Sequence, residues 1–170
     1  MARVAAIVLA AGEASRFGSP KQRLLLPRVL DALRESRVGE IVVVAGAYDL
    51  DPVEDVRIVQ CPDWQAGPGA SLRCGLAAFG DEVEVAVVVL ADGPELAPAA
   101  VDRVLEDWRR NGGVVAASYD GGRGHPLVLG RQEWSEIPDE GLRDRPVRLV
   151  PCDDLGAPGD VDRPEDLPGL

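Results

Sequence analysis

Residues 7–22, IVLAAGEASRFGSPKQ, pass from an apolar run into small residues and then into cations. Ala10, Ala11 and Gly12 leave room for a backbone to approach a ligand, and successive N–H groups in such a loop cradle phosphate oxygens. Arg16 adds a planar fork of donors, and Lys21 adds a compact point charge. Neither the Walker A spacing nor the GxGxxG fingerprint is present: five residues separate Gly12 from Gly18, and Lys21 comes three later. Lys21 is the only lysine, set against 17 arginines. The excess of arginine, alanine and glycine is what drift toward one codon class produces. Arginine is too bulky to replace a small ammonium squeezed between phosphates, so a lysine kept in this loop points to that role.

Carboxylates offer the complementary chemistry. Asp92 ends the apolar run of VVVLADGPEL, where a charge is costly unless it is exposed or paired. It either closes an Asp-Gly turn or binds Mg²⁺, which favours one or two carboxylates together with substrate phosphates. GDVDRPEDL offers a second carboxylate at Asp160 or Asp162, within a stretch that also reads as a turn and a capped helix start. His125, the only histidine, lies in GGRGHPLVLG with no triad or metal-ligand pattern, and reads as a structural loop residue. Trp108 and Trp134 read as core or rim residues at helical positions. Trp64, entering the glycine-rich CPDWQAGPGASLRCG, is a candidate wall for a flat ring.

The elements that position these residues alternate in type. Strand-like runs occupy 3–10, 40–46, 57–60, 85–90, 113–119 and 146–151. Apolar residues at three- and four-residue spacing predict helices over 27–37, 69–80 and 97–113. Pro27 is placed at a first turn, and Gly112 and Gly113 at a C-cap. This order predicts an α/β chain, a single domain over 1–170, with a mostly parallel sheet. In such a sheet ligands lie outside the carboxyl ends of the strands, where the Ala10–Gly12 loop and Asp92 both fall.

The totals narrow the function classes. A net charge of −11 argues against nucleic acid or an acidic membrane as partner. Residues 1–37 nevertheless carry seven basic and three acidic side chains, a net of +4, so the remainder carries −15. This polarity fits a small anionic ligand held near the N-terminus, and equally a chance excess on solvated helix faces. No apolar run reaches a membrane span, and MARVAAIVLAAG reads as the first strand rather than a leader. Cys61, Cys74 and Cys152 are odd in number, widely spaced and without CxxC, which predicts reduced thiols used for packing in a cytoplasmic protein.

Taken in order, LAAGEASRFGSPKQ, PDWQAGPGASLRCGL, VLADGPEL, GHPLVLGR and DVDRPEDL resemble the MobA/MocA-like nucleotidyltransferases over nearly the whole chain. The resemblance implies a three-layer, Rossmann-like sheet of the nucleotide-diphospho-sugar transferase type. It implies transfer of a nucleoside monophosphate to the molybdopterin cofactor, for use by a molybdenum hydroxylase. It assigns Leu9, Ala10, Ala11, Gly12, Arg16 and Lys21 to the nucleotide. Gly69, Ser71 and Gly75 fall near base and ribose. Asp92 is assigned to Mg²⁺ with Asp162, or with Asp160 in its place. Lys21, Arg16 and Asp92 are the implied catalytic residues. LAAG resembles the CTP-using branch. The chain lacks the family's turn of type GxPLL after KQRLLLP, is short at 139–146, and has Arg163 where the family has threonine. Two other readings stand beside this one: transfer to another phosphorylated small molecule such as a sugar phosphate or phospholactate, and a non-catalytic nucleotide-binding relative.

Overall fold

The computed structural model describes residues 3–12 and 21–159, with the side chains of residues 21–23 outside that description. Among the described residues one sheet of seven strands is present, in the order β3-β2-β1-β4-β6-β5-β7. The strands are β1 (Val4–Ala10), β2 (Glu40–Ala45), β3 (Arg57–Gln60), β4 (Val85–Leu90), β5 (Val114–Tyr119), β6 (Gly122–Gly130) and β7 (Arg148–Pro151). β6 alone runs antiparallel to its neighbours β4 and β5, and the other pairings are parallel.

β1 shows why the centre is apolar throughout. Successive side chains point to opposite faces, so Val4, Ala6, Val8 and Ala10 join one core and Ala5 and Ile7 the other. Helices α1 (Lys21–Arg34) and α3 (Pro98–Asn111) cover the first face through Val29, Leu30, Leu33, Val101, Val104 and Leu105. Helix α2 (Pro68–Ala77) covers the second with Leu72 and Leu76. Both faces being covered, continuous hydrophobic strands result, and the expected three-layer α/β arrangement is present.

Three elements differ from the sequence reading. α1 starts at Lys21, so Pro27 lies inside the helix rather than at its first turn. Pro27 has no N–H to give the carbonyl four residues back, and the burial of Leu25, Leu26, Val29, Leu30 and Leu33 outweighs that loss. The segment around His125 is no loop but β6, whose Leu127 and Leu129 face one core and Val128 the other. Trp134 lies just past a 3-10 turn (Arg131–Glu133), giving its indole N–H to the Leu129 carbonyl with Arg131 over its ring. The expected cap holds: α3 ends at Gly112 and Gly113, both with positive φ.

The cysteines also differ. Cys61 and Cys74 form a disulfide, because β3 and α2 fold back to bring residues 13 apart in sequence to a Cα separation of 5.9 Å. Spacing along the chain could not show this. Cys152 remains a buried thiol. Non-reduced, denatured protein should therefore yield one titratable thiol and reduced protein three. Closing a loop of this length is worth about 3 kcal/mol, so Cys61→Ala should lower unfolding stability by that order in oxidising buffer.

Candidate active site

The chain leaves β1 toward β2 on one side, while β4 pairs with β1 on the other, so the order reverses between them. The pairing sets Leu9 opposite Leu90, and the Ala91 N–H continues the ladder to the Leu9 carbonyl. Both strands thus end level, and the loops after them face each other across a crevice. A cavity of about 410 Å³ opens there. Leu9, Ala11 and Gly12 line it from β1, Asp92 from β4, and Trp64, Pro68 and Ser71 from the segment entering α2.

Each wall has a local cause. Trp64 lies against Gly46, where an added Cβ would meet the indole at 2.6 Å. The flat ring can lie beside the end of β2 only because residue 46 is glycine. Pro68 starts α2, and Gly67 and Gly69 beside it are demanded by a second close approach. A Cβ on Gly69 would stand 1.7 Å from the Pro138 carbonyl oxygen, and one on Gly67 2.3 Å from that of Asp139. The Gly69 N–H donates to the Asp139 carbonyl at 2.8 Å, and Arg73 donates to the Ile137 carbonyl at 2.6 Å and to the Asp139 carboxylate. The turn 138–141 is therefore clamped to the first turn of α2.

A second cavity, of about 390 Å³, lies beyond that wall and shares Leu9, Pro68 and Leu90 with the first. Leu72, Val88, Leu127 and Leu142 give it apolar sides, and Arg123, His125, Glu140 and Arg143 are its charged and polar groups. β6 places Arg123 and His125 there. Running against β4, it brings its first residues to the edge where the parallel strands end. Burial, reinforced by the Arg123 charge, lowers the His125 pKa to about 4, with Asp92 pulling weakly the other way. The imidazole is therefore neutral near pH 7. Burial likewise pushes the Tyr119 phenol up to about 12, and its O–H donates to the His125 carbonyl at 2.9 Å.

Of the residues singled out in sequence, Leu9, Ala11, Gly12, Ser71 and Asp92 meet at the first cavity, as does Trp64. Ala10 is buried in the core. Gly69 faces the Pro138 turn, and Gly75 packs on Ile7 and Val44 beneath α2. Arg16, Asp160, Asp162 and the Lys21 side chain lie outside the described residues, though Lys21 begins α1. No group of three metal-type side chains occurs among the described residues. Sequence reasoning missed His125, Arg123 and Glu140. The continuous apolar PLVLG after His125 is the signal that a strand carries Arg123 and His125, whereas Glu140 lies on the 138–141 turn, which no such run marks.

The profile of the MobA-like NTP transferase domain matches residues 6–150. The chain belongs to that family. Bifunctional protein GlmU of Heliobacterium modesticaldum is 28% identical over 138 residues, 73% of this MobA-like chain and 30% of GlmU. The chain thus spans less than a third of that relative's length. Rv0371c of Mycobacterium tuberculosis H37Rv superposes with a TM-score of 0.81 at 26% identity, over 97% of this chain and 95% of that one. Another Rv0371c structure, a complex with manganese, gives 0.72 at 28% identity, covering 96% and 95%. CMP:2-keto-3-deoxy-manno-octonic acid synthetase, complexed with CTP, shares the fold at 0.73 and 13% identity, over 96% and 95%. Family and fold are those of nucleotidyltransferases.

Two outcomes follow from this geometry. Gly69→Ala should lower the melting temperature by several degrees, since its Cβ has no space against a clamped carbonyl. Between pH 6.5 and 4 the unfolded chain protonates His125 while the folded one does not. His125 thus contributes stability above its unfolded pKa, which is lost as pH falls toward 4. In metal-free urea titrations, the pH 7-to-4.5 loss should be smaller in His125→Asn than in the parent, by about 2 kcal/mol.

Proposed function

We propose that this protein transfers CMP from CTP to the terminal phosphate of the molybdopterin cofactor, releasing pyrophosphate. The observation that carries this reading is a nucleotide-sized cavity, at the reversal point of a MobA-like sheet, that shares a wall with a second cavity. In this reading the first cavity takes CTP. Trp64 faces the base, Ser71 lies toward the ribose, and the Ala10–Gly12 backbone with Arg16 and Lys21 meets the phosphates. The second cavity takes the acceptor.

A terminal phosphate oxygen of the acceptor attacks the α-phosphorus. The bond from that phosphorus to the β-phosphate's bridging oxygen breaks, and pyrophosphate leaves with the electron pair. The attacking oxygen is already anionic, so no base is required. The chain's work is to align two anions and offset their repulsion. Asp92, which lines the cavity, would hold Mg²⁺ with Asp162 or else Asp160, since Mg²⁺ takes one or two carboxylates plus phosphate oxygens. When bound, Mg²⁺ neutralises phosphate charge. Lys21, the first residue of α1, and Arg16 supply the cations that offset phosphate charge in this reading. Ala11 in LAAG supports CTP over GTP. The reading takes 1–170 as one domain, placed in the cytoplasm where CTP is made, delivering its product to a molybdenum hydroxylase. Among the described residues no helix is long and apolar enough to cross a membrane. A second reading keeps the same two cavities and takes another phosphorylated small molecule, such as a sugar phosphate, as acceptor.

Thermal unfolding with CTP, GTP, UTP and ATP, each with and without Mg²⁺, tests the nucleotide. CTP with Mg²⁺ at about a hundred times its Kd should add about 2.7 kcal/mol, a rise of roughly 5–10 °C. Absence of any shift would remove the reading, and a shift confined to GTP would overturn the role of Ala11. Asp92→Asn and Lys21→Arg should each cut pyrophosphate release by at least about 100-fold while keeping the melting temperature. Near-parental turnover in either would remove that residue from the mechanism.

A further inference from the structure

The second cavity holds a carboxylate that nothing in phosphate chemistry calls for. Arg123 and Arg143 suit an anionic acceptor, but Glu140 beside them repels one. Its place is fixed with care. Glu140 is the third residue of a turn closed by the Gly141 N–H to the Pro138 carbonyl at 2.9 Å, with Gly141 at φ +91°. That turn is held to α2 by the Gly69 and Arg73 bonds, and by backbone so close that no side chain fits at Gly67 or Gly69. The opposite wall is tied as well, since Arg123 donates to the carbonyls of Arg143 and Arg145 at 3.4 Å each. Among the described residues Glu140 forms no ion pair or side-chain hydrogen bond. Exposed and lining the cavity from this clamped turn, Glu140 is available to whatever enters.

A carboxylate accepts two parallel hydrogen bonds from a group that displays two N–H donors side by side. A pterin has that edge, in its ring N–H and adjacent amino group. A sugar phosphate, with hydroxyls only, does not. We infer that Glu140 is a specificity-determining residue of this transferase, reading the N–H edge of a pterin while Arg123 and Arg143 attract the acceptor's negative charge. The inference rests on the acceptor reading given above and sharpens it: the apolar sides receive the flat ring, the arginines answer charge, and Glu140 distinguishes a pterin acceptor from a phosphorylated sugar.

The probe is a pterin phosphomonoester, followed by its own fluorescence, titrated into protein saturated with Mg²⁺ and a non-hydrolysable CTP analogue. A hexose 1-phosphate, followed by calorimetry, is the comparator. Glu140→Gln keeps size and removes one acceptor oxygen. It should weaken the pterin at least about tenfold and leave the affinities for CTP analogue and hexose phosphate as in the parent. Arg143→Gln should weaken both phosphate probes alike. Equal pterin affinity in parent and Glu140→Gln would overturn the inference. So would an equal loss for both probes in Glu140→Gln, or a parent protein that binds CTP but no pterin. Failure of the nucleotide reading registers separately, as no stabilisation by CTP, and cannot be mistaken for any of these.

Discussion

The parallel pairing of β1 with β4, Leu9 opposite Leu90, is the constraint on which the site depends. Side chains alternate along a strand with a period of two, so a slip of one residue would exchange the two cores and turn Asp92 away from Gly12. The register is held by burial on both faces: Ala5, Ala6, Ile7 and Val8 of β1 are inaccessible, as are Val85, Ala86 and Val87 of β4. The same pairing makes Leu9 and Leu90 a partition, because the two cavities meet at these residues. Packing and site geometry are therefore one feature: what keeps water out of the sheet also sets the spacing of the two cavities.

β6 supplies what a wholly parallel sheet would not. Its antiparallel course puts the beginning of a strand at the edge where the others end, so His125, with Arg123 near it, comes within electrostatic reach of Asp92 from within a strand. The neighbouring wall comes from the opposite face of the sheet, through the 138–141 turn and α2. Arg73 joins these two elements with a guanidinium that serves a backbone carbonyl and a carboxylate together. Short glycine contacts make the junction close enough for Pro68 to face both cavities.

Much of this was legible in the sequence, for identifiable reasons. The continuous apolar runs gave the central strands nearly to the residue, since strands covered on both faces need no polar alternation. The search beyond strand ends found the loop after β1 and Asp92. That same rule passed over His125, whose segment precedes its strand's core rather than following it. Pro27 misled because first-turn proline is common, whereas here the buried leucines on both sides carry the helix through it. The Cys61–Cys74 bond and the Glu140 turn depend on contacts across 13 and about 70 residues, which spacing alone does not reveal.

The segment from Cys61 to Leu76 is tied down three times over: by its disulfide, by the Arg73 clamp, and by Gly75 seated on Ile7 and Val44. A surface fixed in this way already has its bound shape before a ligand arrives. Ordering a loop around a ligand subtracts from affinity, and here that subtraction has been made during folding. A ligand entering the first cavity against Trp64, Pro68 and Ser71 would accordingly give up its own freedom and little of the protein's.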